Sequence, residues 1–169
     1  MKVMAKMKHT DSNFETAIFA AGCFWGVEDL FRKAAGVVDA EVGYTGGHTQ
    51  NPSYKEVCSD TTGHAEAVKI IFDPSLVSYE ELVKKFFAIH DPTTMNKQGP
   101  DAGSQYRSAI FYLSDEQKKI AENIKAEIAA SGAYNKPIVT EIGKAGQFYR
   151  AEEYHQRYFE KNGGGTCHI

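Results

Sequence analysis

Cys23 is the residue of this chain best placed to do chemistry. It stands in Ala21-Gly22-Cys23-Phe24-Trp25-Gly26, where an apolar run over 16–21 stops and a helical spacing starts, with Val27, Leu30, Phe31 and Ala34 on one stripe. A cysteine at that joint meets unpaired backbone N–H groups and the positive end of a helix dipole, which favour the thiolate, the nucleophilic form. Its glycine neighbours admit a close approach. Phe24 and Trp25, the chain's one tryptophan, put apolar surface beside the sulfur, suiting a substrate with an apolar group next to a polar reacting atom. A buried cysteine between two core aromatics is the plainer alternative; the position at a helix start favours the nucleophile.

Glu66 is the second candidate. In the run 65–72 the side chains alternate, so Glu66 shares a face with Val68, Ile70 and Phe72, and Ala65, Ala67, Lys69 and Ile71 share the other. A carboxyl group in line with an apolar set is partly desolvated, which favours its protonated form and a role as hydrogen-bond donor or general acid. A strand-end glutamate that reaches solvent or pairs with a lysine or arginine fits the same pattern.

Loop tyrosines 44, 54 and 106 offer hydroxyls on rigid stems, fit for holding one oxygen of a small polar group, or simply for packing. Cys167 follows Gly163-Gly164-Gly165, so it is expected on a mobile tail, 162–169, able to swing toward a second thiol or to stay idle. Two cysteines bridge only when their Cα atoms come within about 7 Å, so pairing with Cys23 would need that swing.

The elements that must position these groups follow from periodicity. Strands are expected over 16–21, 37–44, 65–72, 108–113 and 138–142, and helices over 24–35, 79–90, 115–130 and 151–161. Gly36 is expected as a helix C-cap, and Ser78-Tyr79-Glu80-Glu81 as a capping box. Two long polar loops, 43–63 and 91–105, are rich in glycine and tyrosine and are expected to line one pocket. The order implies an α+β fold, a two-layer sandwich with a ferredoxin-like split β-α-β core and helices packed on a mostly antiparallel or mixed sheet. One domain over 14–169 is expected after a flexible extension, 1–13.

The 169 residues, 42% of them hydrophobic, suffice for one sizeable core. A net charge of -3 with scattered lysines and arginines disfavours nucleic acid and anionic membrane. No apolar run approaches the roughly 20 residues of a membrane span, and a cytoplasmic protein is expected. Cys23, Cys58 and Cys167 form no C-x-x-C pair, which argues against a disulfide framework or zinc site. His64 with Glu66 and Cys58 matches no metal-ligand spacing, so His64 is expected to be structural, as is Cys58. A cysteine with a distant histidine leaves open a hydrolase or acyl transferase, and the aromatic residues leave open a noncatalytic peptide-binding domain.

The segments Gly22-Cys23-Phe24-Trp25-Gly26, Gly43-Tyr44-Thr45-Gly46-Gly47, Asn51-Pro52-Ser53-Tyr54, Gly63-His64-Ala65-Glu66-Ala67-Val68, His90-Asp91-Pro92, Gln98-Gly99-Pro100-Asp101 and Gln105-Tyr106-Arg107-Ser108, with the tail cysteine, resemble the A-type peptide methionine sulfoxide reductases over about 16–167. The resemblance implies that Cys23 attacks the sulfoxide sulfur and that Glu66 protonates the oxygen. It implies further that Tyr54 and Tyr106 contact that oxygen, that Asp101 helps to arrange the site, and that Phe24 and Trp25 receive the methyl group. Cys23 would become a sulfenic acid, resolved by Cys167 into a disulfide that thioredoxin reduces. The implied substrate is the S epimer of methionine sulfoxide, free or in polypeptides, with no metal or cofactor. The chain is expected to act as a monomer with a single resolving cysteine and without a fused B-type domain.

Overall fold

The computed structural model describes residues 13–163. The expectations for the first dozen residues, and for Cys167 and the tail from 164 onward, lie outside them. The elements in order are β1 (Glu15–Ala21), α1 (Phe24–Arg32), β2 (Val37–Thr45), α2 (Tyr54–Cys58), β3 (Ala65–Phe72), α3 (Tyr79–Ala88), the short pair β4 (Lys97–Gln98) and β5 (Asp101–Ala102), β6 (Ser108–Tyr112), α4 (Asp115–Ala130), β7 (Glu141–Lys144), β8 (Tyr149–Arg150) and α5 (Tyr158–Asn162), with single 3-10 turns at Ser104–Tyr106 and Glu153–His155.

Six strands form one sheet in the order β7-β6-β1-β3-β2-β8. The β6-β1-β3-β2 part is antiparallel throughout and β7 joins it in parallel with β6. This is the expected split β-α-β core, extended by one strand at each edge. One sheet face, with Phe19, Val42, Val68, Ile70 and Ile110, packs with apolar residues of α1, α3 and α4 into the main core. The other face is narrower. Ile18, Ala20, Ala65, Ala67, Ala109 and Phe111 are covered by Ala145 and Phe148, which explains why β1 reads as a continuous apolar run rather than an alternation.

Three expectations need correction. Helix α1 stops at Arg32, with Lys33 as its C-cap, because the chain turns there; Gly36 adopts φ +88 in the approach to β2, where a Cβ would lie 2.5 Å from Val77 Cγ1. The strand expected over 138–142 is shifted to Glu141–Lys144, its register set by β6. The helix expected over 151–161 is broken, since Arg157 takes a left-handed conformation, φ 56, between the 3-10 turn and α5.

The two long loops also contain structure. Ser53 and Glu56 form a reciprocal capping box that opens α2, and β4 pairs with β5. The capping box expected at Ser78 and Glu81 is present.

Phe19 is fully buried, with its ring 5.4 Å from Phe31, 6.1 Å from Tyr79 and 5.2 Å from Phe86. Phe19→Ala should therefore cost about 3–5 kcal/mol of stability, read as a shifted urea midpoint with unchanged slope.

Candidate active site

Gly22, at φ +97, makes the turn out of β1 and delivers Cys23 as the residue that opens α1. Cys23 is half-buried and its side chain makes no capping bond. The cap comes from another strand: the backbone N–H of Phe24 donates to Glu66 Oε1 at 3.2 Å. Glu66 is 2% exposed, on the same sheet face as Val68 and Ile70, as its alternation in the sequence implies. The thiol and the carboxyl group thus meet at one helix start.

The tyrosines come from the two loops. Tyr54 opens α2, with its ring stacked toward Phe24 at 6.4 Å and 19°. Tyr106 ends the 3-10 turn before β6. Burial raises both hydroxyls above the ordinary range, and the Glu66 carboxyl raises them further. Both therefore remain protonated donors at neutral pH. Cys58, Asp101 and Cys23 also lie near enough to act on Tyr106, which brings Asp101 of β5 into the same cluster.

The loops are tied to each other. The Ser104 backbone N–H and hydroxyl both donate to Asp60 Oδ1, and Gln105 Nε2 donates to the Cys58 carbonyl at 3.5 Å. A Cβ on Gly47 would sit 2.4 Å from both His64 N and Thr62 O, so only glycine lets this loop close. His64 is structural, as expected. Its Nδ1 accepts from the Gly47 N–H at 3.0 Å, which places the ring proton on Nε2, facing the Thr49 carbonyl at 2.8 Å.

Cys58 is not a buried packing thiol. It is exposed at the end of α2 and hydrogen-bonded with the Tyr54 and Tyr106 hydroxyls. Phe24 is 1% exposed and belongs to the core, while Trp25 is half-buried. Among the described residues no three of His, Cys, Asp and Glu gather as a metal-ligand set.

Two residues of the C-terminal segment had no signal in periodicity or composition. Glu152 Oε2 accepts the Tyr54 backbone N–H at 2.9 Å and Oε1 accepts the Tyr44 hydroxyl at 2.8 Å. His155 accepts the Trp25 indole N–H on Nδ1 at 2.9 Å. Neither stands in a motif tied to known chemistry.

A half-exposed thiol at a helix start, a buried carboxyl group on the amide beside it and protonated hydroxyls near them are gathered on an α+β fold, an arrangement whose chemistry suits a thiol-dependent oxidoreductase. The chain belongs to the peptide methionine sulfoxide reductase family, whose model matches residues 15–169. It is 56% identical over 158 residues to the peptide methionine sulfoxide reductase MsrA of Methanothermobacter thermautotrophicus, covering 94% of each chain. Among solved structures, Mxr1 of Saccharomyces cerevisiae in reduced form aligns with TM-score 0.86 and 41% identity, over 92% of this chain and 91% of that one. Mxr1 in complex with Trx2 aligns with TM-score 0.63 and 30% identity, over 92% and 88%.

Burial works against the Glu152 charge, but the Tyr54 amide and the Tyr44 hydroxyl hold its carboxyl below the ordinary value of 4.5. A depressed carboxyl stabilises the fold above the unfolded-state value, and that contribution fades as the pH falls through the folded value. The stability difference between wild type and Glu152→Gln should be full above about pH 4.5 and shrink in more acid solution, measured by urea unfolding across pH.

Proposed function

We propose that this protein reduces the S epimer of methionine sulfoxide, free or within polypeptides, to methionine, with Cys23 as nucleophile and thioredoxin as the final reductant. The observation that carries this reading is the Glu66 carboxyl group on the Phe24 amide, one residue from the Cys23 thiol. A proton source and a nucleophile at adjoining backbone positions are what reduction of one S–O bond requires.

In this reading the Cys23 thiolate attacks the sulfoxide sulfur while Glu66 gives a proton to the oxygen, which Tyr54 and Tyr106 hold by their hydroxyls. Asp101 helps to orient Tyr106. The methyl group rests against Phe24 and Trp25. The S–O bond breaks, methionine leaves, and the oxygen passes to Cys23 as a sulfenic acid, so the sulfoxide is reduced by two electrons and the cysteine oxidised by two. Cys167 then condenses with the sulfenic acid, releasing water and forming a Cys23–Cys167 disulfide. Thioredoxin reduces that disulfide by thiol exchange; the complex of the related Mxr1 with Trx2 supports this partner. No helix among the described residues is long and apolar enough to cross a membrane. We assign the activity to the cytoplasm, where thiols and thioredoxin are kept reduced.

The rival hydrolase or acyl transferase needs a base for Cys23. The buried group on the amide next to Cys23 is a carboxyl, and His155 is engaged with Trp25.

Cys23→Ser should abolish methionine release. Glu66→Gln should slow reduction by about 10²–10⁴-fold at neutral pH, the usual worth of a positioned general acid. Cys167→Ser should release one equivalent of methionine per enzyme and then fail to turn over with thioredoxin, by rapid-quench mass spectrometry. A Cys23→Ser variant with full activity would remove the mechanism.

A further inference from the structure

The two loops that carry Tyr54 and Tyr106 meet at Asp60, which has no part in the chemistry above. Asp60 is exposed and follows α2 in a left-handed conformation, φ 61, with its backbone N–H donating to the Val57 carbonyl at 3.0 Å. Glycine is the ordinary residue at such a helix end, because a Cβ is strained there. What the aspartate adds is its carboxylate. Oδ1 accepts the Ser104 backbone N–H at 3.2 Å and the Ser104 hydroxyl as well, so one oxygen at the end of α2 holds the first residue of the 3-10 turn that ends at Tyr106.

The turn cannot cap itself. Its first amide follows Gly103, at φ +136, where a Cβ would lie 2.2 Å from Gln105 Oε1, so the serine, threonine or aspartate that commonly caps a helix start has no room there. The acceptor therefore comes from the other loop. Gln105 makes a second link across the same gap, its Nε2 donating to the Cys58 carbonyl at 3.5 Å, but that contact is long and Asp60 makes two. At the far end of the link is Tyr54. Helix α2 is a single turn, Tyr54–Cys58, closed at its start by the Ser53–Glu56 capping box and by the Glu152 carboxylate on the Tyr54 amide. A short hydrogen-bonded turn moves as one body, so tying its end to Ser104 sets the distance between two hydroxyls that lie far apart in the chain.

We propose that Asp60 is a positioning residue that caps the turn ending at Tyr106 and so fixes the Tyr106 hydroxyl against the Tyr54 hydroxyl, setting the rate of sulfoxide reduction without touching the substrate. This rests on the reading of the two tyrosines as the pair that holds the sulfoxide oxygen. Asp60→Gly suits the left-handed backbone and removes only the clasp, whereas Asp60→Asn keeps an oxygen acceptor and tolerates the same backbone. The hydroxyls bind the oxygen more strongly as charge develops on it. With free methionine sulfoxide and a small dithiol, the Gly variant should therefore lose about tenfold in kcat with KM within about twofold, and Asn should stay within about threefold of wild type. In a Tyr106→Phe background, which lacks the hydroxyl, Asp60→Gly should cost less than about twofold more.

Amide hydrogen exchange reads the clasp without turnover. The Tyr106 and Arg107 amides donate to the Gly103 and Ser104 carbonyls at 3.0 and 3.2 Å, and they should exchange faster in Asp60→Gly and at the wild-type rate in Asp60→Asn. Full activity in Asp60→Gly would overturn the proposal, and so would unchanged exchange. Equal losses in the Gly and Asn variants would overturn it too, as would a Gly loss undiminished in the Tyr106→Phe background, which would place the effect elsewhere than the Tyr106 hydroxyl. A wild-type protein without reductase activity would defeat the functional reading, and the exchange rates would still decide whether Asp60 holds the turn.

Discussion

The bond from the Phe24 amide to the Glu66 carboxyl joins the central sheet to the start of α1 and determines where everything else in the site can lie. Each side needs the other. Glu66 stands on the helix-covered face of β3, where a carboxyl group without a hydrogen-bond donor would be costly. The first amides of a helix have no intrahelical acceptor, and Cys23, at the position that usually supplies one, makes no side-chain capping bond. Glu66 therefore does the capping.

Around this bond the C-terminal segment works as a frame. It has little regular structure of its own, and its side chains complete other elements instead. Gln156 takes the place of a strand partner for Val42, accepting its N–H at 2.9 Å and donating to its carbonyl at 3.0 Å. The buried Glu28 accepts the Arg157 backbone N–H at 2.9 Å, which seats the left-handed residue that redirects the chain into α5. Glu152 anchors Tyr54. Residues of the C-terminal segment thus hold groups contributed by β2, α1 and α2.

Much of the candidate site was legible because it follows from local geometry. Strand β3 was expected over 65–72 and lies at Ala65–Phe72, and its strict alternation put Glu66 on the buried face. The helix start at Cys23 followed from a change of period. The short helix α2 was not anticipated, although Ser53 and Glu56 have capping-box spacing, because five residues are too few to show a helical period. Cys58 was misread for the same reason: its setting beside Tyr54 is an i, i+4 relation within that helix. The break at Arg157 escaped notice because a left-handed arginine has no composition signal and is held by contacts with Glu28, 129 positions away in the chain.

The sequence by itself determined the β-α-β order, the helix-start thiol, the inward carboxyl and, through motifs spread along the chain, the family. Those depend on periods of two and 3.6 residues and on residue types, which are properties of neighbours in the chain. Only the tertiary structure decided that Glu66 caps the helix opened by Cys23, that Cys58 sits among the tyrosines, and that His155 and Glu152 hold Trp25 and Tyr54. The bonds from Phe24 to Glu66 and from Trp25 to His155 join residues 42 and 130 positions apart, and they form only once a folded core has brought those distant segments together.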